Sequence, residues 1–560
     1  APRMSVMISA IGVSYLLQNL VCYVTGGLAK QFPDIPLISQ SVRVFGVKDK
    51  LAVFISPLVA VVLMVILVLI INHTKFGMAM RAASKDFETA QLMGVKINRV
   101  ISMTFIIGSF LAAVGALLYF AKNTGINHMA GSTPGIKAFI AAVVGGIGSV
   151  PGAVVGALLI GVVESLAKAF GLADFSDVIS FALLIIILVI KPTGLFGEKT
   201  TEKAGEDENL ILVAVLVALV GCVDAFAPSS SMWFPVLRKV CTFALAAVAM
   251  NLLNGFTGLF SLGQAGFMLL GAYAYAILTI PVELRSTVFR NYGDSLVQFQ
   301  MPLVLALLAA GVVAAFFAFL IGLPVLRLKS DYLAIATLGF AEIVRGLVQL
   351  SQFGPLTNGP DPLNNFTAPK SVMPYAAIAG VCILLIVLLI NSTYGRAFKA
   401  IRDDEIAAEA MGINLARHKM ISFVVSSFFC GVAGAMLAMC NTSVSSVSFT
   451  TSMTYQILLV VVVGGIGSVS GSVIAAFIYY ASSEWWLRFL DLETYTASGA
   501  RVPLLGYGFR MVVFSVLIMI VVLFFRKGIM GTREVSVYDD IRKIGRFFTR
   551  KSAAKGGDAQ

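Results

Sequence analysis

Charged side chains are scarce in this chain. Asp, Glu, Lys and Arg make up 12% of its 560 residues, whereas 58% of the residues are hydrophobic. A soluble fold of this length could not bury so much apolar surface. Several apolar runs reach or approach the length that a helix needs to cross roughly 30 Å of hydrocarbon. They are 51–71, 178–190, 302–326, 374–390 and 509–525. The composition predicts an all-α fold, that of a polytopic helical membrane protein.

Patterns that hold metals or nucleotides are missing as well. The six cysteines and three histidines are scattered, without the spacing of a metal site or a disulfide framework. No GxxxxGK followed by Ser or Thr occurs, so the loop that cradles ATP phosphates is absent. The net charge of +12 resides in loops and tails, where the positive-inside rule places it, and does not indicate nucleic acid. We expect no catalytic site, no metal and no cofactor bound by this chain.

The chain does contain a charged loop that occurs twice. Residues 75–99 return as residues 393–417 at a constant offset of 318. A second shared block follows each copy, VVGGIGSVPG at 143–152 and VVGGIGSVSG at 462–471. The same order of parts in both halves indicates a duplicated membrane unit. We therefore predict two homologous, parallel units, each presenting its charged loop to the cytoplasm.

The repeat also predicts where the units begin and end. The first unit spans 1–197, a charged cytoplasmic linker 198–208, the second unit 209–533 and a basic cytoplasmic tail 534–560. About three spans at the start of the second unit, within 209–318, have no counterpart in the first. Because the chain also starts without Met, we expect the first unit to lack its initial spans.

Counting membrane crossings from the charged loops gives a consistent topology, which includes one span at about 258–280. The count fails at the glycine blocks. The apolar stretch 454–482 would be about 43 Å long as one helix, and the flanking spans leave it no net crossing. We predict a re-entrant hairpin broken at the glycines, since non-helical backbone at membrane depth must be covered by protein or line a wet cavity. Two short full spans joined at a membrane face are the alternative. The predicted turn residues are Gly145, Gly146 and Gly148 in the first unit and Gly464, Gly465 and Gly467 in the second.

Each charged loop has a composition suited to docking another protein. The first copy has the pattern E-x-A-x-x-x-G, and the second reads EIAAEAMG. Small residues at helical spacing allow a partner to approach closely, and the glycine ends the helix. An ordinary solvated loop helix is the alternative, but it does not explain why the pattern occurs twice. The docking candidates are Glu88, Ala90, Gly94, Glu405, Ala408, Glu409 and Gly412.

Five polar residues within apolar stretches are candidates for the path of a solute. Glu342 and Arg345 lie three apart on one helical face, and ionisable groups within a span are functional candidates by default. A structural pair is equally compatible with their spacing. Asn251, Asn254 and Gln264 surround a glycine-broken stretch, where freed backbone groups could meet a polar solute. Hydrogen bonding between helices is the alternative for these three.

Taken together, these motifs resemble a known family. The repeated loop resembles the coupling loop of ATP-binding-cassette (ABC) importer permeases. GMAMRAASKDFETAQLMGVKINRVI and GGIGSVPGAVVGALLIGVVES look like the branched-chain amino-acid permease of the high-affinity uptake system. YGRAFKAIRDDEIAAEAMGI, LKSDYLAIATLGFAEIVR and SLGQAGFMLLGAY look like its partner permease subunit. The resemblance covers residues 3–197 and about 235–533. In the family the two permeases are usually separate chains, so natural fusion, joined chains and truncation are all open.

The resemblance implies a permease of the bacterial inner membrane that moves branched-chain or other amino acids inward. ATP and Mg would then be bound by two separate ABC ATPase subunits, and a periplasmic binding protein would deliver the solute. A permease for urea or short amides is the alternative within the class. An ion-coupled secondary transporter is a further alternative, for which ion sites near the membrane midplane would be expected.

Overall fold

The computed structural model describes most of the apolar helices and leaves defined gaps between them. The described residues are 3–33, 41–44, 47–85, 87–122, 125–146, 149–169, 179–180, 182, 233–293, 295–328, 330–491 and 509–524. Most of the predicted span 178–190, the linker 198–208, the following span at 209–227 and the tail 534–560 lie outside these residues.

The chain forms two compact units. The smaller one comprises Leu17–Val162 and Thr193–Lys199, and the larger one comprises Ala1–Leu16, Val163–Pro192 and Thr200–Gln560. The unit boundaries that the sequence repeat predicts are not tested by this division and stay a prediction.

Helices dominate the first part of the chain. They are α1 Arg3–Thr25, α2 Leu51–His73, α3 Lys75–Lys85, α4 Phe87–Leu92, α5 Ile97–Lys122, α6 Ser132–Gly145 and α7 Val150–Ala169. Two antiparallel strand pairs accompany them, β1 Lys30–Gln31 with β4 Gly125–Ile126 and β2 Ser41–Val44 with β3 Val47–Lys50.

The second part of the chain is mostly helical in its described residues. Its long helices are α8 Trp233–Asn251, α9 Gln264–Thr279, α10 Leu303–Val325, α11 Ser330–Gln349, α12 Met373–Ile390, α13 Thr393–Asp403, α14 Glu405–Ala410, α15 Leu415–Asn441, α16 Thr451–Gly464, α17 Val469–Ala481 and α18 Phe509–Phe524. Short turns connect them, namely the π-helices Leu252–Phe256 and Ser482–Trp486, the 3-10 helices Val282–Leu284, Ser351–Phe353, Ser446–Ser448 and Arg488–Asp491, and the single turns Arg285–Val288 and Gly354–Thr357.

Eight of the described helices are long and apolar enough to cross a membrane. Helix α2 is the most hydrophobic of them, and no residue in its most apolar window is buried within the protein. A helix that is apolar all round and exposed in water would be unstable, whereas the same helix is stable against lipid or another apolar protein surface. The prediction of an all-α, polytopic helical membrane protein is confirmed.

Glycines let the helices of the larger unit approach closely. A Cβ atom on Gly271 of α9 would lie 2.0 Å from the carbonyl oxygen of Gly431 on α15. One on Gly434 would lie 1.9 Å from the carbonyl oxygen of Met268. Since membrane helices gain little from excluding water between them, van der Waals contact of this kind supplies much of their association.

The segment between α9 and α10 is held by one arginine. The guanidinium of Arg285 donates to the carbonyl oxygens of Ile277 at 2.9 Å, Ile280 at 3.2 Å and Phe299 at 2.8 Å, and also to that of Val297. Arg285 is 3% exposed. Buried charge is tolerated when it is hydrogen-bonded, and here the bonds of the two Nη atoms join the two ends of the segment, while Nε has no partner.

The predicted crossing at about 258–280 is wrong in its first part. Helix α9 starts only at Gln264, and residues 257–263 are not helical. Gly258 has φ +73°, a left-handed conformation that glycine adopts without strain. The N–H groups of Ser261, Leu262 and Gly263 bond side-chain oxygens, which sequence hydropathy does not reveal.

Candidate functional site

The charged loop of the smaller unit ends in a glycine cap. Gly94 has φ +85°, and the N–H of Val95 donates to the carbonyl oxygen of Ala90 at 3.1 Å. This bond back to the last helical turn is the Schellman arrangement, which satisfies a carbonyl that the helix end leaves free. Ala90 itself is 5% exposed.

The charged loop of the larger unit repeats this geometry. Gly412 also has φ +85°, the N–H of Ile413 donates to the carbonyl oxygen of Ala408 at 3.1 Å, and that of Gly412 donates to Glu409 at 2.9 Å. Ala408 is 4% exposed. Two loops separated by 318 positions therefore share one backbone shape, with alanine turned inward and glycine closing the helix.

Apolar side chains at the tips of both loops lie open. Leu92 and Met93 are 86% and 81% exposed in the first loop, and Ile406 and Met411 are 73% and 84% exposed in the second. The rest of each loop is polar. Exposure of these apolar side chains to water is unfavourable, and burial against a partner would relieve it. Exposed apolar groups grouped on a polar surface are typical of a protein-binding surface.

Charged groups fix helix α14 at its start. The carboxylate of Asp404 accepts from the backbone N–H groups of Ile406 and Ala407 at 3.0 and 3.3 Å, an N-cap bond. Glu405 forms an ion pair of 2.7 Å with Lys419 on α15, whereas Glu409 is exposed. The side chain of Glu88, the acidic candidate of the first loop, lies outside the described residues.

Both glycine blocks interrupt a helix, as the sequence predicts. In the larger unit α16 ends at Gly464, and the chain direction changes by 120° before the helical segment that begins at Val469. Gly465 and Gly467 have φ +124° and +88°. A Cβ on Gly464 would lie 2.4 Å from the carbonyl oxygen of Gly471, so only glycine allows the two arms to meet.

The smaller unit has the same break between α6 and α7. Gly146 has φ +104°, and a Cβ on Gly145 would lie 2.0 Å from the carbonyl oxygen of Gly152. Gly148 lies outside the described residues. Entry and exit of these hairpins on one side of a membrane stays a prediction.

Asn251, a solute-path candidate, instead holds the glycine break of the larger unit. Its amide nitrogen donates to the carbonyl oxygens of Gly465 at 3.3 Å and Ser468 at 2.8 Å, and to the hydroxyl of Ser472 at 2.9 Å. Its amide oxygen accepts from the N–H of Gly467 at 2.9 Å. Asn251 is fully buried, and these bonds favour the structural role that the sequence left open.

Asn254 has a similar role one turn later, in the π-helix Leu252–Phe256. Its amide oxygen accepts from the N–H of Ser261 at 3.1 Å, and its amide nitrogen donates to the carbonyl oxygen of Ser261 at 3.4 Å. Thr337 of α11 adds a bond to the same stretch, because its hydroxyl accepts from the N–H of Leu262 at 3.0 Å. π-helical turns often mark functional positions.

Gln264 begins α9 and is fully buried. Its amide oxygen accepts from the thiol of Cys430 at 2.9 Å, but its amide nitrogen has no hydrogen-bond partner. Among the three amides, Gln264 keeps a polar group free, so the solute-path prediction is best retained for this residue.

Glu342 and Arg345 form an ion pair on α11. The Nε atom of Arg345 lies 2.8 Å from a carboxylate oxygen of Glu342, and the other oxygen accepts from the hydroxyl of Thr451 at 2.6 Å. Glu342 is 8% exposed, and the Arg345 side chain is 29% exposed. The pair therefore also joins α11 to the start of α16, and its place in a solute path stays a prediction.

Sequence reasoning missed Arg402, which links the second charged loop to the broken backbone. Its Nη1 atom donates to the carbonyl oxygen of Gly255 at 3.0 Å. The repeat offers a signal, because position 402 corresponds to Ser84 in the first loop, so the two loops differ there. Within the described residues no group of three or more His, Cys, Asp and Glu side chains could hold a metal ion.

Comparison with known proteins identifies the family. The model of the family described as "Branched-chain amino acid transport system / permease component" matches residues 2–188 and 232–525. This chain belongs to that family. The two matched regions coincide with the two halves that share the repeated loop and glycine block, so the prediction of two permease units in one chain agrees with the match.

Individual permeases are similar to parts of the chain. The high-affinity branched-chain amino acid transport system permease protein LivH of Salmonella typhimurium is 38% identical over 207 residues, which are 36% of this chain and 66% of LivH. BraD of Pseudomonas aeruginosa is 40% identical over 208 residues, again 36% of this chain and 66% of the relative. LivM of Escherichia coli is 30% identical over 329 residues, 53% of this chain and 72% of LivM.

The chain thus spans just under two thirds of the LivH and BraD relatives. No solved structure is significantly similar to it. The family match and the apolar helices show a multi-pass helical membrane protein of a transport-permease family.

Proposed function

We propose that this chain is the transmembrane permease of an ABC importer that moves branched-chain amino acids, or other amino acids, inward across the bacterial inner membrane. Two features support the proposal. The family and the relatives LivH, BraD and LivM carry branched-chain amino acid transport in their descriptions. The paired loops also supply two equivalent docking surfaces, as an importer driven by two ATPase subunits requires.

The single observation that carries the proposal is the shared loop geometry. Ala90 and Ala408 are turned inward, Gly94 and Gly412 have the same φ of +85°, and both tips expose large apolar side chains. A solvated loop has no reason to keep this shape twice. We infer that each loop inserts its tip into a groove of one ATPase subunit, with Met93 and Met411 as anchors, because methionine adapts to irregular apolar surfaces.

ATP and Mg belong to those partner subunits, and this chain binds no cofactor of its own. A periplasmic binding protein delivers the solute, and closure of the ATPase subunits moves both loops. The chain's own residues then act as the mechanical part. The docked loops receive the movement, and the broken helices are the places where packing can rearrange without separating whole spans.

The test is reconstitution in proteoliposomes with the two ATPase subunits, the binding protein and labelled leucine. Uptake should require both the binding protein and ATP on the membrane face that carries the ATPase subunits. It should stop when the P-loop lysine of the ATPase is replaced. Excess unlabelled isoleucine should compete, whereas urea should not. Uptake that is driven by an ion gradient and indifferent to ATP would contradict the proposal and favour a secondary transporter, and competition by urea would favour the short-amide alternative.

A further inference from the structure

Arg402 lies at the end of α13, in the polar part of the second charged loop, yet its side chain is only 7% exposed. It also contacts the neighbouring carboxylate of Asp403 at 3.4 Å. The guanidinium turns away from the loop surface toward buried residues of the larger unit, where its Nη1 atom donates to the carbonyl oxygen of Gly255 at 3.0 Å. Burying an arginine is unfavourable unless its donors are used, so this contact fixes where the side chain can lie.

The carbonyl of Gly255 is available because it belongs to the π-helix Leu252–Phe256, where the α-helical bonding pattern is interrupted. The aliphatic part of Arg402 crosses Gly258, since a Cβ there would lie 2.9 Å from the Cγ of Arg402. A Cβ on Gly467 would lie 3.3 Å from Nη1. One side chain therefore contacts the charged loop, the π-helix and the glycine break.

These last two elements are themselves joined. A Cβ on Gly255 would lie 2.6 Å from the backbone nitrogen of Gly467, so the two backbones touch directly. Asn251 bonds the N–H of that same Gly467 at 2.9 Å. Displacement of Gly255 consequently displaces the glycine break as well, because no side chain lies between them to absorb the movement.

The first charged loop lacks this connection. Position 84 holds serine, whose hydroxyl donates to the carbonyl oxygen of Arg81 at 2.9 Å within its own helix. The two loops share their docking shape but differ in what lies behind it. Among the residues that the structure describes, the link is therefore seen in the larger unit.

We propose that Arg402 is a positioning residue that transmits movement of the second charged loop to the π-helix and the glycine break of the larger unit. The proposal rests on the proposed function, since it assumes that the loop is moved by an ATPase subunit. Loss of Arg402 should leave docking intact, because the exposed tip at Ile406 and Met411 is untouched, but should separate ATP hydrolysis from transport.

The test compares Arg402→Met, Arg402→Lys and the matched control Arg396→Met, which changes an exposed arginine of the same helix. Each complex with its ATPase subunits is reconstituted, and leucine taken up per ATP hydrolysed is measured. Arg402→Met should bind the ATPase normally and lower that ratio about tenfold, a typical coupling between sites. Arg402→Lys keeps one donor toward Gly255 and should fall between, whereas Arg396→Met should match the wild type.

Amide hydrogen exchange provides a second measurement, one that would not change if Arg402 had only a structural role. Addition of ATP should change exchange at 405–412, 252–258 and 464–468 in the wild type. In Arg402→Met the change at 405–412 should persist while the other two disappear. A ratio within about twofold of wild type, or an unchanged exchange response at 252–258 and 464–468, would overturn the proposal. If Arg402→Met does not fold, the same criteria apply to Arg402→Lys.

Failure of the proposed function gives a different result, namely a wild-type complex without ATP-dependent uptake. In that case the connection from the second charged loop through Arg402 to the glycine break is tested on the permease alone. Gly412→Val is then used to perturb the loop. Its effect on exchange at 464–468 should be present with Arg402 and absent in the double variant with Arg402→Met. Equal effects in both backgrounds would overturn the link.

Discussion

The side-chain amide of Asn251 donates a 2.8 Å hydrogen bond to the backbone carbonyl of Ser468, 217 positions further along the chain. The same amide accepts from the backbone N–H of Gly467. A helix that breaks inside a membrane protein leaves donors and acceptors that water cannot reach. Here one buried side chain bonds both a donor and an acceptor of the broken backbone, so the break at the glycines is a stable feature of the larger unit.

Replacement of Asn251 by alanine should therefore destabilise the larger unit strongly. The change leaves the N–H of Gly467 without its side-chain acceptor, whereas the carbonyl oxygen of Ser468 keeps the hydroxyl and the N–H of Ser472. One buried unpaired group costs about 1–3 kcal/mol, and we expect a loss of that size, measured as a lower melting temperature of the purified protein in detergent. Gln352→Ala, an exposed amide in the same unit, is the control and should melt like the wild type. Equal melting of the two variants would show that Asn251 does not hold the break.

Substitutions at Gly412 should act through backbone conformation rather than through collision. A Cβ at this position meets no atom within 4 Å, but φ is +85°. Valine tolerates that conformation poorly, at a cost of about 1–3 kcal/mol, whereas asparagine visits it more readily. Gly412→Val should reduce copurification of the ATPase subunits, Gly412→Asn should largely preserve it, and membrane insertion should be unchanged in both.

The same pair of changes at Gly94 offers an internal check on the docking proposal, because its φ is also +85° and its surroundings are also open. If the ATPase subunits copurify fully with Gly94→Val and Gly412→Val, the loops are not the docking surfaces.

Gly434 should not accept even a methyl group. A Cβ there would lie 1.9 Å from the carbonyl oxygen of Met268, so Gly434→Ala must push α9 and α15 apart, at about 1–3 kcal/mol for overpacking. Gly115 of α5 is the matched control, since a Cβ there meets nothing within 4 Å. Gly115→Ala should be neutral or stabilise by up to about 1 kcal/mol through helix propensity. Thermal unfolding of both variants decides, and a lower melting temperature for the Gly115 variant would contradict this account.

Cysteine labelling can establish the topology of the glycine hairpin. Positions on either side of it, Val447 and Phe489, are 65% and 60% exposed and should both react with an impermeant reagent from the periplasm in a cysteine-free background. Met411, in the charged loop, should react only from the cytoplasm. Labelling of Val447 and Phe489 from opposite sides would make the segment an ordinary crossing.

Hydropathy and the internal repeat were sufficient to predict where the long apolar helices lie. The ends of α10 and α12 fall close to the predicted runs 302–326 and 374–390, because long apolar runs have no other stable form in a bilayer. The glycine caps at Gly94 and Gly412 also follow from sequence, since a glycine after a short helical run is the common way to end it.

The roles of polar residues could not be read in the same way. Asn251 and Asn254 are polar residues of the kind that can line a solute path. Their backbone partners, which for Asn251 lie more than 200 positions away, indicate instead that they support broken helices. Arg402 looks like a loop charge that anchors at the lipid surface, yet it bonds a carbonyl 147 positions away. Pairings over such distances depend on how helices pack, which a single sequence does not contain.

Arg285 has a consequence for the surface that the segment between α9 and α10 presents. Its four carbonyl bonds fix the segment when the chain folds, so its conformational entropy is already lost before any protein arrives. A partner that contacts the exposed side chains of Leu296 and Phe299 there, 73% and 52% exposed, would not have to order the loop in order to bind. Affinity at that surface would then depend on the fit of two rigid bodies. After the partner dissociates, the segment would keep the conformation that it had before binding.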